Sequence, residues 1–383
     1  MTDGQPVHDV VALTAALVRI DSVNPSLVTG GAGERELAGF VAGWAAASGL
    51  TARLLEGPDG RPSVVIRGGR GQGGRRLMLC GHLDTVGHGS MADWLTPKVA
   101  GDRMYGRGAY DMKAGLAAAL VACRDAAAAG IAGEVLVAAV TDEEHSSVGV
   151  QTVLRHVGAD AAIVTEPTEL EVAVAHKGFV WSEIEVRGLA AHGSRPHLGL
   201  DAIRMTGPVL TELDGLDRAL ASRPPDPLLG HGSLHASLIS GGTEQSTIPG
   251  RCTLTVERRT LPGETASDVQ AELTALIGRC ARWDPRFAAR ARTLLARDAL
   301  QTPETEPIVE AVLAGAAGID GRQREPVGVS FWADSAFLSA AGVPTVLFGP
   351  SGDGAHADVE WVSLSSVRTC AEALTAVSLD FCR

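Results

Sequence analysis

Four short apolar runs, each leading into a segment that carries His, Asp or Glu, constrain this chain more than any other feature. Leu77-Met78-Leu79-Cys80 leads into Gly81-His82-Leu83-Asp84, and residues 135–140 (VLVAAV) lead into Thr141-Asp142-Glu143-Glu144. Residues 161–164 (AAIV) lead into Thr165-Glu166-Pro167, and Val346-Leu347-Phe348 precedes the loop carrying His356. Short apolar runs bounded by polar residues read as strands buried on both faces of a parallel sheet. Ligands of such sheets collect at the carboxyl ends of the strands. Four runs delivering His, Asp and Glu to one rim predict a metal site, and one holding two metals.

Around these runs the pattern is that of an α/β layer fold. Helical spacing is expected over residues 10–20, 34–48 and 112–129, with strands at 63–67, 77–80 and 135–140. After residue 178 the style changes. Residues 180–186 alternate apolar and polar, which suits a half-buried antiparallel strand. A helix over 201–220, a Pro-rich break at 223–227, strands at 233–240 and 252–258, a helix over 266–282 and a strand at 290–296 follow. The order β-α-β-β-α-β is that of a ferredoxin-like α+β unit. The α/β style resumes with helices over 306–316, 334–341 and 364–379 and a strand at 344–348. The expectation is a metal-binding α/β domain with a mostly parallel or mixed central sheet, residues 1–178 and 297–383, interrupted by a smaller inserted domain over 179–296. The 383 residues are enough for two domains.

A net charge of −12 argues against a nucleic-acid partner, since phosphate binding needs clustered Lys and Arg. The six cysteines show no Cys-x-x-Cys pair, so neither a thiolate zinc site nor a disulfide framework is indicated, and they are expected as small core residues. That usage points to a reducing cytoplasm. No basic stretch followed by an apolar one stands at the N-terminus, so no secretory signal is expected. The Ala-rich tract 114–131 is broken by Arg124 and Asp125 and reads as a helix of a water-soluble domain rather than a membrane span.

Each candidate residue has two readings. Asp84, two residues after His82 on extended backbone, points to the same side and either orients the imidazole or is a solvated acid beside a turn histidine. Asp111 opens the helix at 112 as an ordinary N-cap, or reaches a site that the glycines of 101–108 allow the backbone to approach. Glu143 and Glu144 repel one another at a buried rim unless a cation or shared proton relieves them. One could bind metal while the other holds a water as general base; on a solvated loop they would do neither. Glu166 and His356 are weak signals alone. Together, His82, Asp111, Glu144, Glu166 and His356 make an N/O ligand set without thiolate, suited to zinc, cobalt or manganese. Their odd number permits one bridging carboxylate. His8, His88, His145, His156, His176, His197, His231 and His235 lack matching spacing and read as ordinary histidines.

These segments resemble the M20 family of di-zinc amidohydrolases and peptidases, of the acetylornithine deacetylase and succinyl-diaminopimelate desuccinylase kind. The carrying motifs are residues 81–86 (GHLDTV), 106–115 (GRGAYDMKAG), 141–144 (TDEE), 165–168 (TEPT) and 355–358 (AHAD). The resemblance implies that Asp111 bridges two divalent metals, with His82 and Glu166 completing one shell and Glu144 and His356 the other. Glu143 would be the general acid/base and Asp84 the partner of His82. The insert resembles the family's lid and dimer interface. There His192 matches an oxyanion-stabilising histidine and Arg258 a position that binds a substrate carboxylate. Gly242 and Ser246, within 241–249, match substrate-contacting positions, although Ser246 stands where the family usually has Asn.

The expected activity is hydrolysis of the amide of a small N-acyl amino acid by a metal-activated water, in a homodimer formed through the lid. The alternatives are a dipeptidase or carboxypeptidase-type exopeptidase on the same centre, and a non-catalytic binding protein on this scaffold.

Overall fold

The computed structural model describes residues 9–383. His8, and with it most of the N-terminal segment in which no secretory signal is expected, lies outside them. The four apolar runs form neighbouring strands. Glu134–Val140, Arg76–His82, Ala161–Val164 and Thr345–Leu347 pair in that order, each parallel to the next. Antiparallel strands flank them: Pro62–Gly69 and then Thr51–Glu56 on one side, Ala173–His176 on the other. The sheet is therefore mixed, as expected. Its parallel members are buried almost throughout, because helices cover both faces and leave no solvated side to demand polar alternation.

Ala114–Ala128 packs on Val10–Val18 and Leu364–Phe381, and the latter on Pro307–Asp320. Arg35–Ala47, Val148–Leu154 and Ser335–Ala340 pack on the strands as a second group. Features beyond the sequence pattern include the strands Thr51–Glu56 and Ala173–His176, the helix Val148–Leu154, and a small sheet of Lys98–Ala100, Arg103–Tyr105, Gly352–Asp353 and Trp361–Ser363. These elements are short or mostly solvent-facing, so periodicity has little to act on. All six cysteines are free and buried, in keeping with core roles.

The chain divides into two compact units, crossing at Val174/Ala175 and returning at Gln301/Thr302; residues 328–332 also belong to the second unit. The second unit contains one antiparallel sheet in the order Ser233–Gly241, Arg251–Thr260, Gly178–Arg187, Ala288–Arg297. With the helices Ala202–Ala221 and Ala266–Cys280 this is the ferredoxin-like arrangement. Its core joins Val180, Ile184 and Val186 to Leu254 and Val256 from the sheet, and to Val209, Leu213, Leu273 and Leu276 from the helices. Both helices start at side-chain caps: Asp201 accepts from the Arg204 amide, and Thr265 with Asp268 forms a capping box. No helix of the described residues is long and apolar enough to cross a membrane.

Candidate metal centre

In the first unit the parallel strands end side by side. His82 is the last residue of its strand, Glu143 and Glu144 follow Val140, and Glu166 follows Val164. Asp111 comes from the turn Ala109–Lys113, in which Asp111 and Met112 leave helical geometry. The following helix begins only at Ala114, and its N-cap position, Lys113, makes no side-chain cap bond. Asp111 therefore caps nothing, which removes the first of its two readings. Gly115 lets this turn approach the sheet: a Cβ there would lie 1.9 Å from the carbonyl oxygen of Thr165, next to Glu166. His356 lies on an exposed loop with φ 62°.

Asp111 splits its two oxygens between the histidines. Its Oδ1 lies 3.1 Å from His82 Nε2, and its Oδ2 lies 3.3 Å from His356 Nε2. Glu166 Oε1 stands 3.5 Å from the same His82 nitrogen, and Glu144 Oε2 stands 3.1 Å from the same His356 nitrogen. Two half-sites result, each with one imidazole nitrogen and two carboxylates, sharing Asp111. A carboxylate of Glu143 is within 4.8 Å of donor atoms of both His82 and Glu166. The sequence-predicted ligands are thus brought together, with Glu143 beside them.

The electrostatics suit cations. Burial works against a charged imidazolium at His82, yet Glu166, Asp111 and Glu143 outweigh it and hold the ring well above its ordinary pKa. Hydrogen bonds to Asp111 and Glu144 push His356 up to about 10. Burial drives Glu143 well above the carboxylate range, with Asp334, Glu166 and Glu144 adding to the effect despite His82. Burial likewise lifts Glu166 to about 8. Asp111 goes the other way: burial would raise it, but the two histidines hold it below its usual range. Four carboxylates thus converge on two imidazoles, leaving an excess of acceptors and negative charge. Nitrogen and oxygen donors without thiolate, one carboxylate shared, fit a pair of divalent cations.

Asp84 corrects one expectation. Its carboxylate is 3.9 Å from His82 Nδ1, too far for a hydrogen bond, whereas its main-chain oxygen is at 2.9 Å. A carbonyl can only accept, so Nδ1 carries a proton, and in a neutral ring the Nε2 lone pair would be left for a cation. The Asp84 carboxylate instead accepts the amides of Glu143 and Glu144, both at 3.1 Å, and Asn24 Nδ2 at 2.8 Å. Asn24 continues to Asp142 at 3.1 Å. Arg61 ties Asp142, at 2.7 Å, to the buried Glu34, at 2.9 Å. Asn24, Glu34 and Arg61 thus brace the turn that presents the two glutamates. No local pattern marks them, because their partners are distant in sequence; the one available hint is a polar Glu34 at the start of an apolar helix.

The residues expected to touch substrate from the insert all lie in the second unit. His192 is exposed, on the short strand Ala191–His192 paired with Thr247–Ile248. Its Nδ1 accepts the Ser194 amide at 3.2 Å, so a neutral ring carries its proton on Nε2. Ser246 is joined to the same loop through its main-chain oxygen, which accepts the Gly193 amide, while its hydroxyl donates to Glu244. Gly242 occupies the turn before it with φ 78°. Arg258 contradicts its assignment. It is 1% exposed, with its guanidinium on Glu264 at 2.6 Å, Glu272 at 3.3 Å and the Arg259 carbonyl. Alternation explains this: Cys252, Leu254 and Val256 face the helices, and Arg258 is in phase with them. Its neighbour Arg259 takes the opposite face, bonded to Glu257 and over the Phe179 ring.

A mixed α/β sheet that gathers such a donor set at its strand ends has the makings of a metal centre. The sequence matches the family described as Peptidase family M20/M25/M40 over residues 78–380. The acetylornithine deacetylase of Myxococcus xanthus is 31% identical over 331 residues, 83% of each chain. That of Edwardsiella ictaluri is 28% identical over 97% of this chain and 98% of its own. Among solved structures, aminopeptidase PepT from Bacillus cereus aligns with a TM-score of 0.79 at 18% identity, over 99% of this chain and 100% of that one. The M20 family metallo-carboxypeptidase Sso-CP2 from Sulfolobus solfataricus aligns with a TM-score of 0.79 at 17% identity, over 97% and 99%. The chain belongs to peptidase family M20/M25/M40 and is a metal-dependent amidohydrolase.

Proposed function

We propose that this enzyme hydrolyses the amide of a small N-acyl amino acid, in the manner of a deacetylase or desuccinylase. The observation that carries the reading is Glu143, a buried carboxylate beside a donor set that shares Asp111 between two half-sites. The naming of several relatives as acetylornithine deacetylase supports the substrate class. His82, Asp111 and Glu166 would hold one cation and Asp111, Glu144 and His356 the other, zinc by donor chemistry, with cobalt or manganese able to replace it. When bound, such a pair polarises an amide carbonyl and acidifies a water.

Glu143 takes the proton from the attacking water and delivers it to the amide nitrogen as the C–N bond breaks, giving a carboxylate and a free amine. Its burial raises its proton affinity, which favours the first of these transfers. His192, with its proton on Nε2, is a donor for the developing oxyanion. Ser246 and Gly242 line the loop beside it. The substrate carboxylate falls to Arg259 rather than Arg258, since a guanidinium must reach solvent to grip it in fork fashion. We place the enzyme in the cytoplasm, as a homodimer formed through the second unit.

The test is primary-amine release by zinc- or cobalt-loaded protein from N-acetyl, N-succinyl and N-formyl amino acids beside simple dipeptides, each with a chelated control. Chelator-sensitive release from an acyl amino acid is expected. Release from dipeptides alone would replace this reading with an exopeptidase.

A further inference from the structure

Glu360 is 1% exposed, and its two oxygens receive four donors. Oε2 accepts Arg107 Nη1 at 2.7 Å and the Gly108 amide at 2.9 Å. Oε1 accepts the Tyr110 amide at 2.8 Å and the Asp111 amide at 3.1 Å. A carboxylate has about four lone-pair positions, so this one is fully engaged. Arg107, itself buried, donates its other terminal nitrogen to the Ala357 carbonyl at 2.8 Å, and the Gly106 amide bonds the main-chain oxygen of Glu360. Every one of these bonds links residues 106–111, which lead into and include Asp111, to the segment carrying His356.

The turn needs such a partner. Main-chain carbonyls of Gly106 and Gly108 take its Ala109 and Lys113 amides, but helical geometry fails at Asp111 and Met112, and the Tyr110 and Asp111 amides have Glu360 as their acceptor. A buried amide without an acceptor is costly, and here a single distant side chain supplies the acceptors. We propose that Glu360 is a positioning residue: by holding the main chain of residues 108–111 against the His356 segment, it sets where the shared Asp111 stands and so the affinity of both half-sites for cations. This rests on the reading of Asp111 as a ligand shared by two cations. Glu360 touches neither substrate nor cation in this proposal; it acts through Asp111.

The test compares Glu360→Gln and Glu360→Asp with the wild-type chain. The amide keeps the shape but offers one accepting oxygen and turns a donor toward other donors; the shorter acid keeps the charge. Cation affinity is read by competition with a chromophoric chelator, the ligand field by the visible spectrum of the cobalt form, and folding by melting of the chelated protein. Expected for Glu360→Gln is a loss of about 10–100-fold in affinity for both cations, the range for outer-sphere partners of metal ligands. An altered cobalt spectrum should accompany it, with kcat lowered at saturating cation while KM moves less than about twofold. Glu360→Asp should recover part of the affinity. A lower melting temperature with unchanged affinity and cobalt spectrum would make Glu360 merely structural and overturn the proposal. Should Glu360→Gln not fold, Glu360→Asp decides by the same two readouts. A wild-type protein that binds no cobalt would instead overturn the reading of the centre itself.

Discussion

Glu143 and Glu144 are neighbours in the chain with different surroundings. Glu144 faces His356 at 3.1 Å, whereas Glu143 shares a space with His82 and Glu166. Glu143→Ala should therefore keep two cations per chain by elemental analysis and lose about 10²–10⁴ in kcat, the usual worth of a positioned acid/base. Substantial residual turnover would remove its role. The two arginines separate in the same way. Arg258→Met breaks a buried pair of carboxylate contacts, so a loss of about 3–5 kcal/mol in stability is expected, measured by denaturant unfolding. Arg259→Ala should leave stability nearly intact and raise KM for a carboxylate-bearing substrate. A raised KM with unaltered stability in the Arg258 variant would return the substrate role to it.

The centre depends on elements meeting at their ends. Parallel pairing puts His82, Val140 and Val164 at the rim together, and Asp84 then fixes the turn after Val140 through two amides. The helix that follows Asp111 can start there only because Gly115 lacks a side chain. Gly115→Ala would press a methyl into the Thr165 carbonyl. It should cost about 1–3 kcal/mol, the range for overpacking a tight contact. It should also weaken cation binding, because Glu166 follows Thr165. Unfolding midpoint and cation content of the purified variant check both, and a variant normal in each would show that the contact relaxes freely.

For the whole molecule, the excess of carboxylates links cation binding to folding. Restoring zinc to chelated protein should raise the melting temperature, since occupancy at about 100 times Kd stabilises by about 2.7 kcal/mol. No shift would mean that the cluster does not bind. A second dependence comes from His176, which is fully buried and held by burial down to about 4. Between that value and the ordinary imidazole value of 6.5 the unfolded chain binds a proton that the folded chain does not. Stability from this group is therefore complete above pH 6.5 and falls as the pH drops toward about 4, by up to about 3 kcal/mol. Replacing His176 with Gln should flatten that part of the stability–pH curve relative to wild type; identical slopes would remove the effect.

What the chain alone determined is whatever rests on local pattern. Apolar runs of strand length, helical spacing and the change to alternation after residue 178 announced the mixed sheet and the ferredoxin-like insert. The polar residues ending each run announced His82, Glu143, Glu144 and Glu166, because a buried parallel strand has to end where its polar residues begin. Strand alternation through Cys252, Leu254 and Val256 already placed Arg258 on the helix-facing side, so that correction was legible too. The residue pattern left two readings of Asp111 and the family resemblance favoured the ligand; the tertiary structure adds that its carboxylate caps no helix and stands between two histidines. Only the tertiary structure decided the role of Asp84, whose main chain serves His82 while its side chain serves Glu143 and Glu144. Asn24, Arg61 and Glu360 were silent, and Glu34 nearly so, for one reason. Each acts on residues far along the chain, and a hydrogen bond formed only after folding leaves no period in the sequence.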